Sequence, residues 1–451
     1  MARTLRSRRL RRILLGYTVN RLGSWLGLVA LSLAVFDHTH SALSVAALLF
    51  AWQALPAFVV PFVVARVEAS KHHSEPSGLY FFEAVATAGL ALAVWRFSLA
   101  AVLVLAALDG TAALAANALL RAAIGRVARE HLAPQAPPES SQRELDLTAS
   151  APAANEQNLE SERSANAALN VAFSVSFVAG PVLGGVVATA AGVPAALLID
   201  VVTFLICGVA LLDLRPHPEE ASGDSVRERL RAAFAHISAA HGLAALLIAD
   251  GVALVFMQAG GPIEVAYVKA TLGGGDRGYG LLVTAWGAGS VLASIIFAGF
   301  AKRPLWLTLS AGVGALGIAF LGFTLAPSIG FAYLAAFVGG AGNGLYVPSI
   351  ISLVQRLSPA HLHGRMIGAI ESLGALSLAL ALPLGGALVA LSSPRTAFLV
   401  LGVATLVMGI VYLRLALGAS APGRARGLSA SEAAATSARA SGILGHEPPA
   451  D

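Results

Sequence analysis

Residues 98–129 read SLAAVLVLAALDGTAALAANALLRAAIGRVAR. The first 23 hold one ionisable side chain, Asp109, and the last nine hold Arg121, Arg126 and Arg129. A helix rises about 1.5 Å per residue and the hydrocarbon core of a bilayer is about 30 Å thick, so about 20 apolar residues suffice to cross it. The stretch therefore reads as a membrane span that ends on a basic connector. Basic connectors mark the cytoplasmic side of a membrane protein.

The same grammar repeats along the chain. Apolar stretches fall at about 13–35, 43–66, 78–95, 98–120, 167–191, 195–214, 243–268, 278–301, 305–326, 330–355, 365–391 and 396–418. Of the 30 Lys and Arg residues, 25 lie on alternate connectors or the tails. Four (Arg96, Lys269, Arg277 and Arg395) lie on the other connectors, and Arg21 alone lies deep in a span. This pattern predicts an all-α integral membrane protein of twelve spans, with both termini cytoplasmic. Six arginines before the first span hold that end inside.

Composition agrees. The chain has 451 residues, is 57% hydrophobic and only 12% charged, and its mean hydropathy is +0.74. A soluble protein carries roughly twice that share of charge. The net charge of +5 sits at membrane edges, where anionic headgroups rather than nucleic acid are the natural partner. Cys207 is the single cysteine, so no disulfide framework and no cysteine metal site can form within one chain. Asp37, His38 and His40 are too few ligands to suggest a metal site.

Residues 1–12 form a basic N-terminus and 13–214 a first six-helix bundle. Within that bundle, 131–164 is rich in Pro, Ser, Glu and Gln and reads as a flexible cytoplasmic insert. In 215–242, Val226, Leu230, Phe234 and Ile237 recur at helical spacing between arginines, which suggests an amphipathic linker helix on the membrane surface or a short soluble helix. Residues 243–418 form a second six-helix bundle, and 419–451 an Ala/Ser/Gly-rich tail expected to be disordered.

An internal repeat relates the bundles. Ala51-Trp52-Gln53-Ala54 matches Ala285-Trp286-Gly287-Ala288 at an offset of 234, and the same offset carries Asp109-Gly110 onto Asn343-Gly344. Gly184-Gly185 matches Gly385-Gly386 at an offset of 201. The 33-residue discrepancy is about the length of the insert. Two such halves suit a carrier, whose substrate site between them faces either side as one rocks against the other.

Gly180-Pro181-Val182-Leu183-Gly184-Gly185 in the fifth span is the strongest single motif. Its small residues permit close helix approach and its proline can bend the span. The motif resembles the antiporter motif of the major facilitator superfamily, specifically of multidrug and siderophore exporters of the drug:proton antiporter kind. Asn20 through Trp25, Tyr279 through Leu282, and Gln355 through Arg365 resemble other segments of those exporters. The resemblance implies proton-driven export. The loop after span two departs from the family pattern: Arg66 and Glu68 remain, Ala69 stands where an arginine is usual, and the glycine is missing. The resemblance makes this a gating loop.

Ionisable groups inside a membrane are costly and usually face a cavity or a partner. Asp109 sits at the midpoint of span four, and burial favours the neutral form of an acid, the property a proton carrier needs. Arg21 lies at a similar depth and is its expected ion-pair partner. Asp250, Glu371, Asn343 and Gln258 are further candidates for the substrate cavity or proton path. Glu83 reads as an acid near the inner edge, and Asp200 and Glu264 as acids near the outer edge. No Gly-Lys-Ser/Thr phosphate loop is present, nor a nucleophile–base arrangement in the spans.

The expectation is therefore a monomeric secondary exporter of the bacterial inner membrane. It would move a small amphipathic molecule outward in exchange for protons, with no cofactor and no enzymatic activity. A siderophore or lipid exporter, or a membrane scaffold that has lost transport, are the alternatives.

Overall fold

The computed structural model describes residues 8–60, 76–132, 150–212, 241–299, 304–358 and 363–419. Arg66, Glu68, residues 215–240 of the linker and the tail beyond 419 fall outside these residues. Among the described residues there are helices and turns only, and twelve helices are long and apolar enough to cross a membrane.

The first half comprises α1 (Arg8–Thr39), α2 (Ala42–Leu49, continued by a π-helical turn at Phe50–Ala54), α3 (Pro76–Trp95), α4 (Leu99–Leu132), α5 (Ser150–Ala191) and α6 (Val193–Ala210). The second comprises α7 (His241–Gln258, Gly260–Ala266 and a π-helical turn at Tyr267–Thr271), α8 (Gly275–Gly299), α9 (Leu305–Leu325), α10 (Ile329–Arg356), α11 (His363–Leu391) and α12 (Pro394–Ala419). Local chemistry explains several joints. The Ser41 side chain accepts from the Ser44 N–H at 3.3 Å and caps α2. Gly192 takes φ +84° after α5, a region closed to most side chains, and Pro194 then opens α6.

One element differs from the sequence reading. Helix α5 begins at Ser150, so residues 150–164 prolong the fifth span as helix instead of belonging to a flexible insert. The stretch AANEQNLESERSANAAL is built of good helix formers, and no proline follows Pro152 until Pro181. Its polar composition, which suggested disorder, fits a helix that has left the membrane.

Within each half the helices pack in the same way. Helix α1 lies against α5 and α6, and α3 against α4 and α6; α7 lies against α11 and α12, and α9 against α10 and α12. The repeated diglycines show the symmetry at atomic level. Gly184 packs on Leu26 and Val29 of α1, and Gly385 on the Ala259 carbonyl of α7. Gly185 packs on Asp276 and Gly280 of α8, and Gly386 on Leu43 and Ala46 of α2. Each pair thus has one glycine facing its own half and one facing the other.

The repeat needs one correction. Gly110 presses on the Trp52 carbonyl, but in the second half it is Gly340, not Gly344, that presses on the Trp286 carbonyl. Gly344 sits one turn further on, against Ser290. The structural counterpart of Asp109 is therefore Gly339, whose Cα faces the Trp286 ring, and not Asn343. The π-helical turn around Trp52 has no equivalent in α8, and apolar sequence alone cannot detect a slip of one turn.

The cores reveal how the halves meet. At the face bearing the basic connectors each half has its own core, one around Ile13, Leu120, Phe204 and Leu211 and another around Leu246, Leu309, Ile350 and Tyr412. At the opposite face a single core joins them, running from Leu33 and Val45 to Ile263, Tyr267, Phe323 and Phe398. The molecule is sealed on one side and divided on the other.

Candidate functional site

The divided side encloses a cavity of about 390 Å³, within the range of small-ligand sites. Its apolar wall includes Trp25, Leu28, Trp52, Leu114, Phe204 and Leu378. Its polar groups are Arg21, Ser24, Gln53, Asp109, Asn117 and Gln258. Helices α1, α2, α4 and α6 of the first half and α7 and α11 of the second all contribute, so the cavity lies between the halves.

Asp109 is held in two directions. Trp52 Nε1–H donates to Oδ2 at 2.9 Å and Thr87 Oγ1–H to Oδ1 at 3.0 Å. These bonds tie α4 to α2 and α3. Gly110, next to Asp109, lets the helices approach closely enough for the tryptophan to reach. Arg21 lines the same cavity, but no ion pair joins it to Asp109. Its guanidinium lies 5.8 Å from the centre of the Tyr17 ring, and its Nε has no hydrogen-bond partner.

Behind this wall lies a cluster of buried polar side chains that the sequence reading missed as a group. Asn20, Glu83, Asp109 and Asp200 are each no more than 4% exposed. Asp200 is not an interfacial acid: it rests against Gly23 and Gly27 of α1 and accepts from Thr203 Oγ1 at 2.9 Å. Glu83 lies within electrostatic range of Asp109, Arg21 and Asp200. Neither amide atom of Asn20 has a partner, nor does Glu83 Oε1. Gly16, Asn20, Gly23 and Gly27 form one stripe of α1 that faces α6. A spacing of small residues around Asn20 was the available signal, and only the position of α6 gives it meaning. Three buried acids thus share one guanidinium. Such a set is tolerable only if protons or another cation balance it.

The remaining candidates lie elsewhere. Asp250 does not line the cavity. It is fully buried in the second half, where its Oδ1 accepts from Tyr346 Oη at 2.7 Å and Tyr412 Oη at 3.0 Å. It clamps α7 to α10 and α12. Glu371 is exposed and also absent from the cavity wall, which α11 builds from Gly374, Ala375 and Leu378. Asn343 Nδ2 points to Ser290 Oγ at 3.4 Å, a contact between α10 and α8. Gln258 does line the cavity, and its Nε2 donates to the Gly374 carbonyl at 3.4 Å, across α7 and α11.

The Asp250 clamp carries a stability prediction. Tyr346→Phe removes one of two donors from a buried carboxyl and should cost about 1–3 kcal/mol. The expected result is a lower thermal midpoint of the purified protein with unchanged ligand binding in the cavity. An unchanged midpoint would contradict the clamp.

The fifth-span motif forms the junction between halves. Gly180 and Gly184 receive α1, at Trp25 and Leu26, while Pro181 and Gly185 receive α8 at Gly280. Pro181 has no N–H, so the helix loses a hydrogen bond here. Thr284 of α8 donates to the nearby Val178 carbonyl at 3.1 Å, across the halves. At the sealed face Lys269 of α7 pairs with Asp37 of α1 and with Asp276 of α8.

Residues 246–449 match the Major Facilitator Superfamily. A Bacillus subtilis (strain 168) protein described as "Uncharacterized MFS-type transporter YfiS" is 28% identical over 254 residues, which is 53% of this chain and 60% of that protein. The match therefore spans less than two thirds of that relative's length. Among solved structures, the nucleoside transporter NupG superposes with a TM-score of 0.68 at 12% identity, covering 91% of this chain and 99% of that one. A peptide transporter in complex with sulfate gives 0.65 at 13% identity over 91% and 94% of the two chains. The structure of a bacterial metal transporter gives 0.59 at 15% identity over 91% and 99%. The chain has the fold of these transporters. That fold accounts for the paired halves, the cavity between them and the twelve spans of a multi-pass membrane protein.

Proposed function

We propose that this chain is a Major Facilitator Superfamily secondary transporter that exports a small amphipathic compound in exchange for protons. The observation that carries the reading is the cavity at mid-membrane depth between the halves, with Asp109 in its wall. Its tryptophans and leucines suit an apolar body, and Gln53, Asn117 and Gln258 suit a few polar groups on it. The lining holds one carboxyl, Asp109, and one guanidinium, Arg21, and two further acids buried behind them, Glu83 and Asp200, favour a cationic or neutral compound over an anion.

With the basic connectors in the cytoplasm, the cavity opens inward and the Lys269 pairs close the outer side. Substrate enters from the cytoplasm, the Asp109 cluster releases its proton as substrate binds, and the halves rock about the α5–α8 and α2–α11 contacts. Uptake of a proton from outside resets the cycle. The protein acts as a monomer in the bacterial inner membrane, with the proton gradient in place of a cofactor.

Efflux of a panel of dyes, drugs and metabolites from pump-deficient cells tests this directly. Expression should lower accumulation of at least one compound, and a proton uncoupler should restore it. Uncoupler-insensitive accumulation for every compound would reject the exporter reading in favour of a binding or scaffold role.

A further inference from the structure

The faces of α11 are told apart by what they touch. Gly374, Ala375 and Leu378 line the cavity. On one flank Gly386 packs on Leu43 and Ala46 of α2. On the other, Ser377 Oγ donates to the Gly251 carbonyl of α7 at 3.0 Å. Leu376 and Leu380, 51% and 58% exposed, make up the outer face.

Glu371 belongs to the first of these faces. It precedes Ala375 by four residues and Leu378 by seven, so the three form one row along the helix. Leu376 and Leu380 lie about 140° and 180° away around the helix. Glu371 therefore stands on the cavity side of α11, not on its lipid side, and one turn nearer the basic face than the wall. It is exposed, within a segment apolar enough to cross a membrane. An acid at such a position is costly against lipid and calls for a cavity. The space beside it is open: a Cβ added to Gly368 or Gly374, three residues to either side, would meet none of the described residues within 4 Å.

We infer that Glu371 is an entrance filter, a specificity-determining residue that draws cations into the cavity and holds back anions before either reaches Asp109. A charge beside a narrow opening with low-dielectric walls has its field focused along that opening, which concentrates ions of the opposite sign there. The connectors at this face work the other way: Arg121, Arg126 and Arg129 continue α4 past Asn117 toward the basic end. An acid between that face and the cavity wall reverses the sign of the field where an entering compound has to pass. Glu371 sorts by charge and sets no demand on shape, which the tryptophans and leucines of the wall supply. The filter acts on any ion that enters, so it rests on the cavity and not on export or proton coupling.

Thiol labelling of the full chain in inside-out vesicles tests the filter. Asn117→Cys places a thiol in the cavity wall, and the native Cys207 is buried. Its labelling rate is measured with a cationic trimethylammonium methanethiosulfonate and with an anionic sulfonate reagent of similar size, each divided by the rate for a free thiol in solution. At low salt the cation-to-anion ratio should fall by about fivefold or more when Glu371→Gln is added, and further with Glu371→Lys. Glu371→Asp should keep the ratio of the parent. At about 0.5 M salt, where the Debye length is about 4 Å, the parent and Glu371→Gln should converge. An unchanged ratio in Glu371→Gln, or a difference that salt does not reduce, would overturn the filter. Failure of both reagents to reach the thiol would do the same, because Glu371 would then guard no opening. Labelling needs no substrate, so a filter that holds while the dye panel shows no export removes the exporter reading alone.

Discussion

Asp109→Asn is expected to lower proton-driven efflux by at least about tenfold while leaving the protein folded and in the membrane. The carboxylate accepts from two directions at once, Trp52 on one oxygen and Thr87 on the other. An amide has a single acceptor oxygen, and its nitrogen would face one of the donors. The amide oxygen can keep the Trp52 donor, which can only donate, while the amide nitrogen donates to Thr87, whose hydroxyl can turn and accept. Two charge-assisted hydrogen bonds become neutral ones, a difference of about 1 kcal/mol each, which together give a factor of about ten or more if the cost falls on the transporting state. The variant also removes a proton-binding group from a cluster with one arginine. Uncoupler-sensitive efflux, normalised to the amount of protein in the membrane, is the measurement. Full efflux by the variant would exclude Asp109 as the coupling group and shift attention to Glu83 and Asp200.

Gly280→Val should trap the protein in the state sealed at the basic face. An added Cβ would lie 2.6 Å from the Pro181 carbonyl oxygen and 3.1 Å from Gly185 Cα. Both are backbone atoms, which cannot swing aside as a flexible side chain can, so α5 and α8 have to separate. That contact is part of the seal opposite the cavity mouth, and the separated arrangement is the alternative to the one described here. A reporter cysteine at Asn117 in the cavity should lose reactivity from the basic face by about tenfold or more, and efflux should stop. Cys207 is buried in the first-half core and stays silent. Undiminished labelling would mean that α5 and α8 tolerate the bulk, and that the motif is not the rocking contact.

Much of this was readable without coordinates. Twelve spans follow from runs such as 98–120, because a bilayer imposes one length and one polarity on every crossing segment. Asp109 was legible as a cavity acid, since a lone carboxyl at mid-span requires a partner or a cavity. Its true partners were not legible: Trp52 and Thr87 lie on other helices, and the expected Arg21 pair is not made. Asp250 looks the same in sequence as Asp109, an acid inside an apolar run. Only the tyrosines of α10 and α12 identify it as a clamp. Asp200 was misread because depth counted along one helix says nothing about the glycines of another. The extension of α5 was misread because polar composition was taken for disorder when it was also compatible with helix.

The one-turn slip between the repeats bears on how work is done by the machine. Trp52 closes on a carboxyl, while Trp286 closes on Gly339, where there is no side chain to grip. Under the proposed proton cycle, the gradient would therefore act through the first half. The second half, stiffened by the Asp250 clamp, would be the frame against which the first half turns. A fault in the first half would then stop transport, and a comparable fault in the second would loosen the motion without removing its drive.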